Sequence, residues 1–288
     1  MTPTGKRIRT IAAVLVLLIL TYFLSIKAGS WLQTSSPRSS IQYAEAARIR
    51  ISGHVTISLG KQGKIWKVEE GGQVYPADPE KVGALLSALN SIRTSDIVSN
   101  NKKKRTEFGI KNDTITVTLP EKTEILHLGI PPTTEGMYVS INDESEIYAV
   151  PSLSTVLSDD YRDLKPVSMK SEDVVAIHEA YESADIDLIK DKNGWTINAK
   201  RSVPERVDYF ISDITGLKAS TMDMGDIGAK VPDILVRIEG KSQTTEKLEF
   251  FQVDETTYVL RTSHSPFTYS IPAGYVESLK KSETDFLQ

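Results

Sequence analysis

Phe108-Gly109-Ile110-Lys111-Asn112-Asp113-Thr114-Ile115-Thr116-Val117-Thr118-Leu119 lies without a gap over Ile227-Gly228-Ala229-Lys230-Val231-Pro232-Asp233-Ile234-Leu235-Val236-Arg237-Ile238. Each stretch sets a glycine before an alternation of period two, and the apolar positions coincide as Ile115/Ile234, Val117/Val236 and Leu119/Ile238. Such alternation marks a strand buried on one face. Upstream, Pro79-Glu80-Lys81-Val82 matches Pro204-Glu205-Arg206-Val207, and the stripe Val82, Leu85, Leu86, Leu89, Ile92 recurs as Val207, Phe210, Ile211, Ile214, Leu217. A helical period followed by a strand period, twice in the same order, reads as a tandem duplication.

The same elements flank both copies. Residues 54–59 and 64–68 alternate around Gly60-Lys61-Gln62-Gly63, and residues 186–189 and 195–197 do so around Asp191-Lys192-Asn193-Gly194, two hairpin signals. Trp66 and Trp195 occupy equivalent places in them and are expected to be core residues. Asp78 before Pro79 is a favourable start for the first helix; Val203 stands in that place in the second copy and offers no cap. Four strand candidates follow at 114–119, 124–130, 137–142 and 146–150, and again at 233–239, 246–253, 257–261 and 267–271. Short helical runs close the copies at 151–158 and 272–281. The expected fold is therefore α+β: two tandem modules, residues 43–165 and 171–288, each a hairpin, a helix and an antiparallel meander.

In front of them, residues 10–26 are uncharged and apolar. At ~1.5 Å per residue they nearly span a hydrocarbon core of ~30 Å, so a single transmembrane helix is expected there. Lys6, Arg7 and Arg9 precede it, which puts residues 1–9 in the cytoplasm and everything beyond the anchor outside. Residues 27–42, Ser-rich with Pro37, read as a stalk. The competing reading is a cleaved signal peptide with Ala28-Gly29-Ser30 at the junction. The chain has no cysteine, which excludes lipid attachment at one and any disulfide framework. A net charge of -4 gives no reason to expect nucleic-acid binding, and the basic run Lys102-Lys103-Lys104-Arg105 lacks interleaved aromatics.

In Phe108-Gly109-Ile110, Leu126-His127-Leu128-Gly129, Gly136-Met137-Tyr138-Val139 and Ile147-Tyr148-Ala149-Val150, with Gly228, Pro232, Tyr258-Val259 and Tyr269-Ser270-Ile271 in the second copy, the chain resembles the domain of unknown function 4340 family of bacterial envelope proteins. The resemblance implies an anchored extracytoplasmic protein, often encoded beside ATP-binding-cassette (ABC) transport components of the gliding-motility type. It supplies no catalytic residue to carry over.

The residues themselves give no reactive set. His54, His127, His178 and His264 lie outside metal-ligand spacing of one another, and His178-Glu179-Ala180-Tyr181-Glu182 lacks the second histidine of a zinc-protease helix. The acidic groups Asp185/Asp187, Asp223/Asp226 and residues 142–146 do not form a spaced calcium loop. No Gly-x-Ser-x-Gly elbow occurs, and Gly71-Gly72 precedes no phosphate-binding lysine. The chain is therefore expected not to be an enzyme, with no catalytic, cofactor-binding or metal residue and no cofactor. The expected function is that of a membrane-anchored accessory or assembly subunit of an ABC-type transport system, its partners being the membrane and a transporter or its membrane subunit, not nucleic acid. The alternative is a module that binds a sugar or peptide in a cleft between the repeats, using Trp66, Trp195 or tyrosines; a hydrolase would need carboxylates facing across a groove.

Overall fold

The computed structural model describes residues 43–287 except 54–55, 93–94, 131–135, 152, 183 and 226. The expected anchor at 10–26 and stalk at 27–42 lie outside the described residues. Among those described, no helix is long and apolar enough to cross a membrane.

The expected α+β class is overturned. The molecule is built mainly of two nine-stranded antiparallel sheets, with few helices. The first contains β1 (Arg48–Ser52), β2 (Thr56–Gln62), β3 (Ile65–Glu70), β4 (Gln73–Pro76), β5 (Asp96–Ser99), β6 (Thr114–Thr118), β7 (Thr123–Leu128), β8 (Met137–Ile141) and β9 (Ile147–Val150). The second contains β10 (Val174–Tyr181), β11 (Ala184–Asp191), β12 (Gly194–Ile197), β13 (Lys200–Arg201), β14 (Thr221–Asp223), β15 (Ile234–Gly240), β16 (Thr245–Gln252), β17 (Thr257–Thr262) and β18 (Thr268–Pro272). The orders are β4-β3-β2-β1-β6-β7-β8-β9-β5 and β13-β12-β11-β10-β15-β16-β17-β18-β14, one path traced twice.

The reading as hairpin, helix and meander omits the strand that makes each sheet continuous. β1 bridges β2 and β6, and β10 bridges β11 and β15. β1 offers only Ile49 and Ile51, alternating with Arg48, Arg50 and Ser52, too short a pattern to stand out. In β10 a register shift between Val174 and Ala176 breaks the period of two, because a bulge moves every later side chain to the other face. The other additions, β4, β5, β13 and β14, are two- to four-residue strands at sheet edges. Short edges are how sheets avoid unwanted pairing, and they carry little periodic signal.

Ladder registers also move the internal alignment. Tyr148 pairs with Val139 and Val139 with Leu128; Tyr269 pairs with Leu260 and Leu260 with Phe250. Counted from these matched tyrosines, Ile115, opposite Leu126, corresponds to Val236, opposite Leu248. The ungapped alignment is thus two residues out along β15. A slip of two keeps every side chain on its face, so a period-two pattern cannot detect it. Upstream, the paired glycines do match in conformation: Gly109 (φ 66°) and Gly228 (φ 69°) both adopt the left-handed region that a side chain would disfavour.

Helices are few. α1 (Pro79–Ser91) buries Val82, Leu85 and Leu89, and α2 (Leu153–Leu157) is a short closing turn. α3 (Pro204–Thr215) buries Val207, Phe210, Ile211 and Ile214. Its N-cap, Val203, makes no side-chain cap, and the Val203 amide instead donates to the Phe286 carbonyl at 2.8 Å. Phe286, in the terminal turn α5 (Thr284–Leu287) beyond α4 (Ala273–Leu279), meets Phe210 edge-on at 5.3 Å. The described residues divide into two compact units, residues 43–63 with 80–159, and residues 64–79 with 160–287. The β3–β4 hairpin thus belongs by strand order to the first sheet and by packing to the second unit.

Candidate functional site

A groove of about 740 Å³, open to solvent, lies wholly in the second unit. That is within the range of ligand-sized sites. Three pieces of chain form it: the β3–β4 hairpin, the connection at 163–168, and the turn at 264–267 between β17 and β18. Because Lys67 pairs with Pro76 and Glu69 with Val74, the residues Ile65, Lys67, Val74 and Pro76 share one face of the hairpin. Ile65 is 66% exposed and Val74 49%, which is unusual for aliphatic side chains on a strand.

The aromatic framework is fixed. Tyr75 and Phe267 meet at 5.3 Å with an interplanar angle of 35°, and the Arg162 guanidinium sits 5.5 Å over the Tyr75 ring. Arg162 is itself held by both oxygens of Asp160 and donates to the Met222 carbonyl at 3.1 Å. The Asp160 contact holds its guanidinium above the usual arginine value. Tyr269 Oη and Ser265 Oγ are 3.0 Å apart at the opposite wall. Burial raises the Tyr269 phenol above its ordinary value, so it stays neutral at physiological pH. Lys67 and Lys165 give the lining a positive excess over Asp163, in a chain of net charge -4.

A buried glutamate fixes the floor. Glu246, 6% exposed, accepts from the Ser168 hydroxyl and from the Ser168 amide at 3.2 Å, and His264 Nδ1 lies 3.9 Å away. Its counterpart in the first copy, Glu124, accepts from Tyr43 Oη at 2.5 Å and from Lys122 at 2.7 Å. Each is the second residue of its strand, β16 or β7, and each ties down the segment that leads into its sheet.

The residues singled out in the sequence are dispersed. His54 and Asp226 lie outside the described residues. His178 is not on a helix but on β10; its Nδ1 bonds Asp187 across the ladder and its Nε2 lies 3.6 Å from Glu239, so both ring nitrogens face carboxylates. His127, on β7, is held below the ordinary histidine value by burial first and by Arg105 second. Only His264 lines the groove. Trp66 and Trp195 are buried at 9% and 4% exposure, so neither is a stacking platform. The basic run forms a 3-10 turn, in which Arg105 donates to the carbonyls of Asn142 and Glu144 and Lys102 pairs with Asp143 at 2.8 Å. Among the described residues no group of three acidic, histidine or cysteine side chains is placed to hold a metal ion.

Sequence reasoning missed two things. The groove is assembled from the hairpin and loops that follow it by 87 residues or more, and no periodicity reports that. Glu179 is the other: fully buried on β10, between Ile186 and Val236, with neither carboxylate oxygen hydrogen-bonded. Burial pushes its acid constant up to about 8, and nearby Lys281 offsets this only in part. By ladder position it stands where the first copy has Ile51.

Comparison with known proteins adds a family and no activity. No curated protein matches the chain. No solved structure matches it. A family model described as a domain of unknown function, DUF4340, matches residues 66–233. That match begins in β3 and ends just before β15, so it takes in α1, α2 and α3 and excludes Tyr258-Val259 and Tyr269-Ser270-Ile271. With more than half of its length matched, the chain belongs to the DUF4340 family.

Proposed function

We propose that this protein is a membrane-anchored, extracytoplasmic and non-catalytic subunit that binds a partner, as an accessory or assembly component of an ABC-type transport system. The observation that carries the reading is the groove: an open concavity whose walls combine exposed aliphatic side chains, packed aromatics and a few charged groups suits recognition. Its only histidine stands beside a buried glutamate that already holds the connecting segment, which is a structural duty. The apolar run at 10–26, preceded by Lys6, Arg7 and Arg9, supports anchoring with the folded units outside. An anchored binding subunit gains from confinement, since tethering raises the effective concentration of its sites near a membrane partner.

The test is extraction of the full chain from its native membrane in a mild detergent. A membrane component of a transport system should co-purify at fixed stoichiometry, and the double change Ile65→Asp/Val74→Asp, on exposed positions, should release it. A chain that purifies alone, or residues 43–288 that resist protease added to intact spheroplasts, would overturn the proposal.

A further inference from the structure

The groove has an unfinished sheet edge beside it. β4 is the terminal strand of the first sheet. The Ala77 amide bonds the Trp66 carbonyl on β3 at 3.1 Å, so Ala77, Tyr75 and Gln73 direct their backbone groups inward while Asp78, Pro76 and Val74 direct theirs outward. Two of those outward positions are satisfied by the connection at 161–163. The Asp78 amide donates to the Tyr161 carbonyl at 2.8 Å, and the Asp163 amide donates to the Pro76 carbonyl at 2.9 Å, around an antiparallel bridge between Ala77 and Arg162. The pairing then stops. The Asp163 side chain takes the Lys165 amide at 3.2 Å, the Leu164 carbonyl goes to the Ala219 amide, and Pro166 follows. The next outward residue, Val74, finds no backbone hydrogen bond on that side among the described residues. It opens onto the groove.

From this geometry we infer that the groove receives an extended, acidic peptide segment of a partner protein, which continues the short 161–163 strand along β4 by pairing with Val74. This rests on the reading of the groove as a partner site and names what enters it. Main-chain bonding to a sheet edge fixes the backbone, and alternate side chains are then sorted by the walls. One set meets the face that carries Ile65, Lys67, Val74 and Pro76, where aliphatic and carboxylate side chains both find a match. The other turns toward Tyr75 and Phe267, and in the lining as a whole Lys67 and Lys165 outnumber Asp163, its one acid, which suits an acidic segment. Two prolines, Pro76 and Pro266, keep the rims rigid, so little ordering accompanies entry.

The test uses the full chain in detergent micelles and fluorescence anisotropy. The probe is a blocked, labelled octapeptide of alternating Glu and Val; its comparisons are the Lys and Val octapeptide and the same Glu peptide N-methylated at alternate amides. Saturable binding of the Glu peptide is expected. The Lys peptide should bind at least tenfold more weakly, as should the N-methylated peptide in one of its two registers. Lys67→Glu with Lys165→Glu should weaken binding tenfold or more, and Val74→Pro, which removes the outward amide, should do likewise. Lys102→Glu, in the basic turn of the other unit, should leave binding unchanged. Thermal melts confirm folding of each variant, and the N-methylated probe tests the edge without altering the protein. Equal binding of Glu and Lys peptides, no saturation by millimolar Glu peptide, or equal loss with Lys102→Glu would sink the inference. So would capture of phosphatidylglycerol vesicles that depends on Lys67 and Lys165 without peptide binding, which would assign the groove to lipid headgroups. If a transport component still co-purifies while no peptide binds, the accessory reading stands and this one falls.

Discussion

At Glu179 the two copies differ sharply in chemistry. A carboxyl group takes the place of Ile51, is fully buried, and makes no well-formed hydrogen bond through either oxygen, the Lys281 backbone offsetting its desolvation only in part. Its acid constant is about 8 when folded against 4.5 as the ordinary value, so between these pH values the folded chain holds a proton that the unfolded chain has released. Stability contributed by this group therefore falls as pH rises from about 4.5 to about 8 and is level above that, a change on the order of 5 kcal/mol. Urea unfolding across this range should show the slope in the wild type, and Glu179→Gln should remove it. Glu179→Ile, restoring the residue type of the first copy, should raise stability at pH 8 by about 2 kcal/mol or more, because an aliphatic side chain carries no desolvation cost there. Unchanged pH dependence in the Gln variant would show that another group carries the slope. Nothing in His178-Glu179-Ala180-Tyr181-Glu182 betrays this, since a glutamate among charged neighbours reads as solvated until its strand is placed in the middle of a sheet.

Among the elements, helix faces were legible and central strands were not. The stripes of α1 and α3 reach the core, but not uniformly: Leu85 is fully buried while Leu86 is only partly so, and Ile211 is 3% exposed. A helical period of 3.6 assigns a face about two residues wide, and it does not say which of two adjacent leucines points straight down. Leu85→Ala should accordingly cost about 2 to 5 kcal/mol and Leu86→Ala about 1 kcal/mol or less, read from denaturant midpoints. Similar losses at both would move the helix axis from where it is drawn. The strands at 114–119, 124–130, 137–142 and 146–150 fall on β6 to β9, because each pairs with its chain neighbour and keeps a clean alternation. β1 and β10 pair instead across 50 or more residues to β6 and β15, and that long-range choice leaves no local mark. Without them the copies look like a helix with loose hairpins, which is why the α+β reading failed.

Across the whole molecule, the same nine-strand path is followed twice, and in both passages a buried glutamate holds the chain as it enters. Tyr43 is tied to Glu124 and Ser168 to Glu246. These ties sit in different sequence surroundings, Tyr43 from a Ser-rich approach and Ser168 from the link between sheets, so only the Thr-Glu pairs at 123–124 and 245–246 hint at them. Removing a buried acceptor leaves its donors unmatched and costs about 1 to 3 kcal/mol. Glu246→Ala should therefore destabilise by at least that much and speed amide exchange at 167–170, while Tyr43→Phe should do the same more mildly at 43–47. Exchange that stays slow in both variants would show that the ties are incidental. The groove was the least legible part, since its lining comes from one hairpin and two loops brought together only by the finished fold.

β1 begins five residues after Tyr43 and lies in the interior of its sheet, paired along its full length with β2 on one side and β6 on the other. Any tension arriving through the preceding segment is directed along the strand axis. It would load both ladders at once in shear, where bonds must fail together, whereas a pull on an edge strand would peel them singly. Forced unfolding is governed by the rate of crossing that barrier rather than by equilibrium stability. The first unit is thus built as a mechanical clamp: a pull from the amino-terminal side should be borne at forces well above those that unfold the same unit when it is drawn from β5.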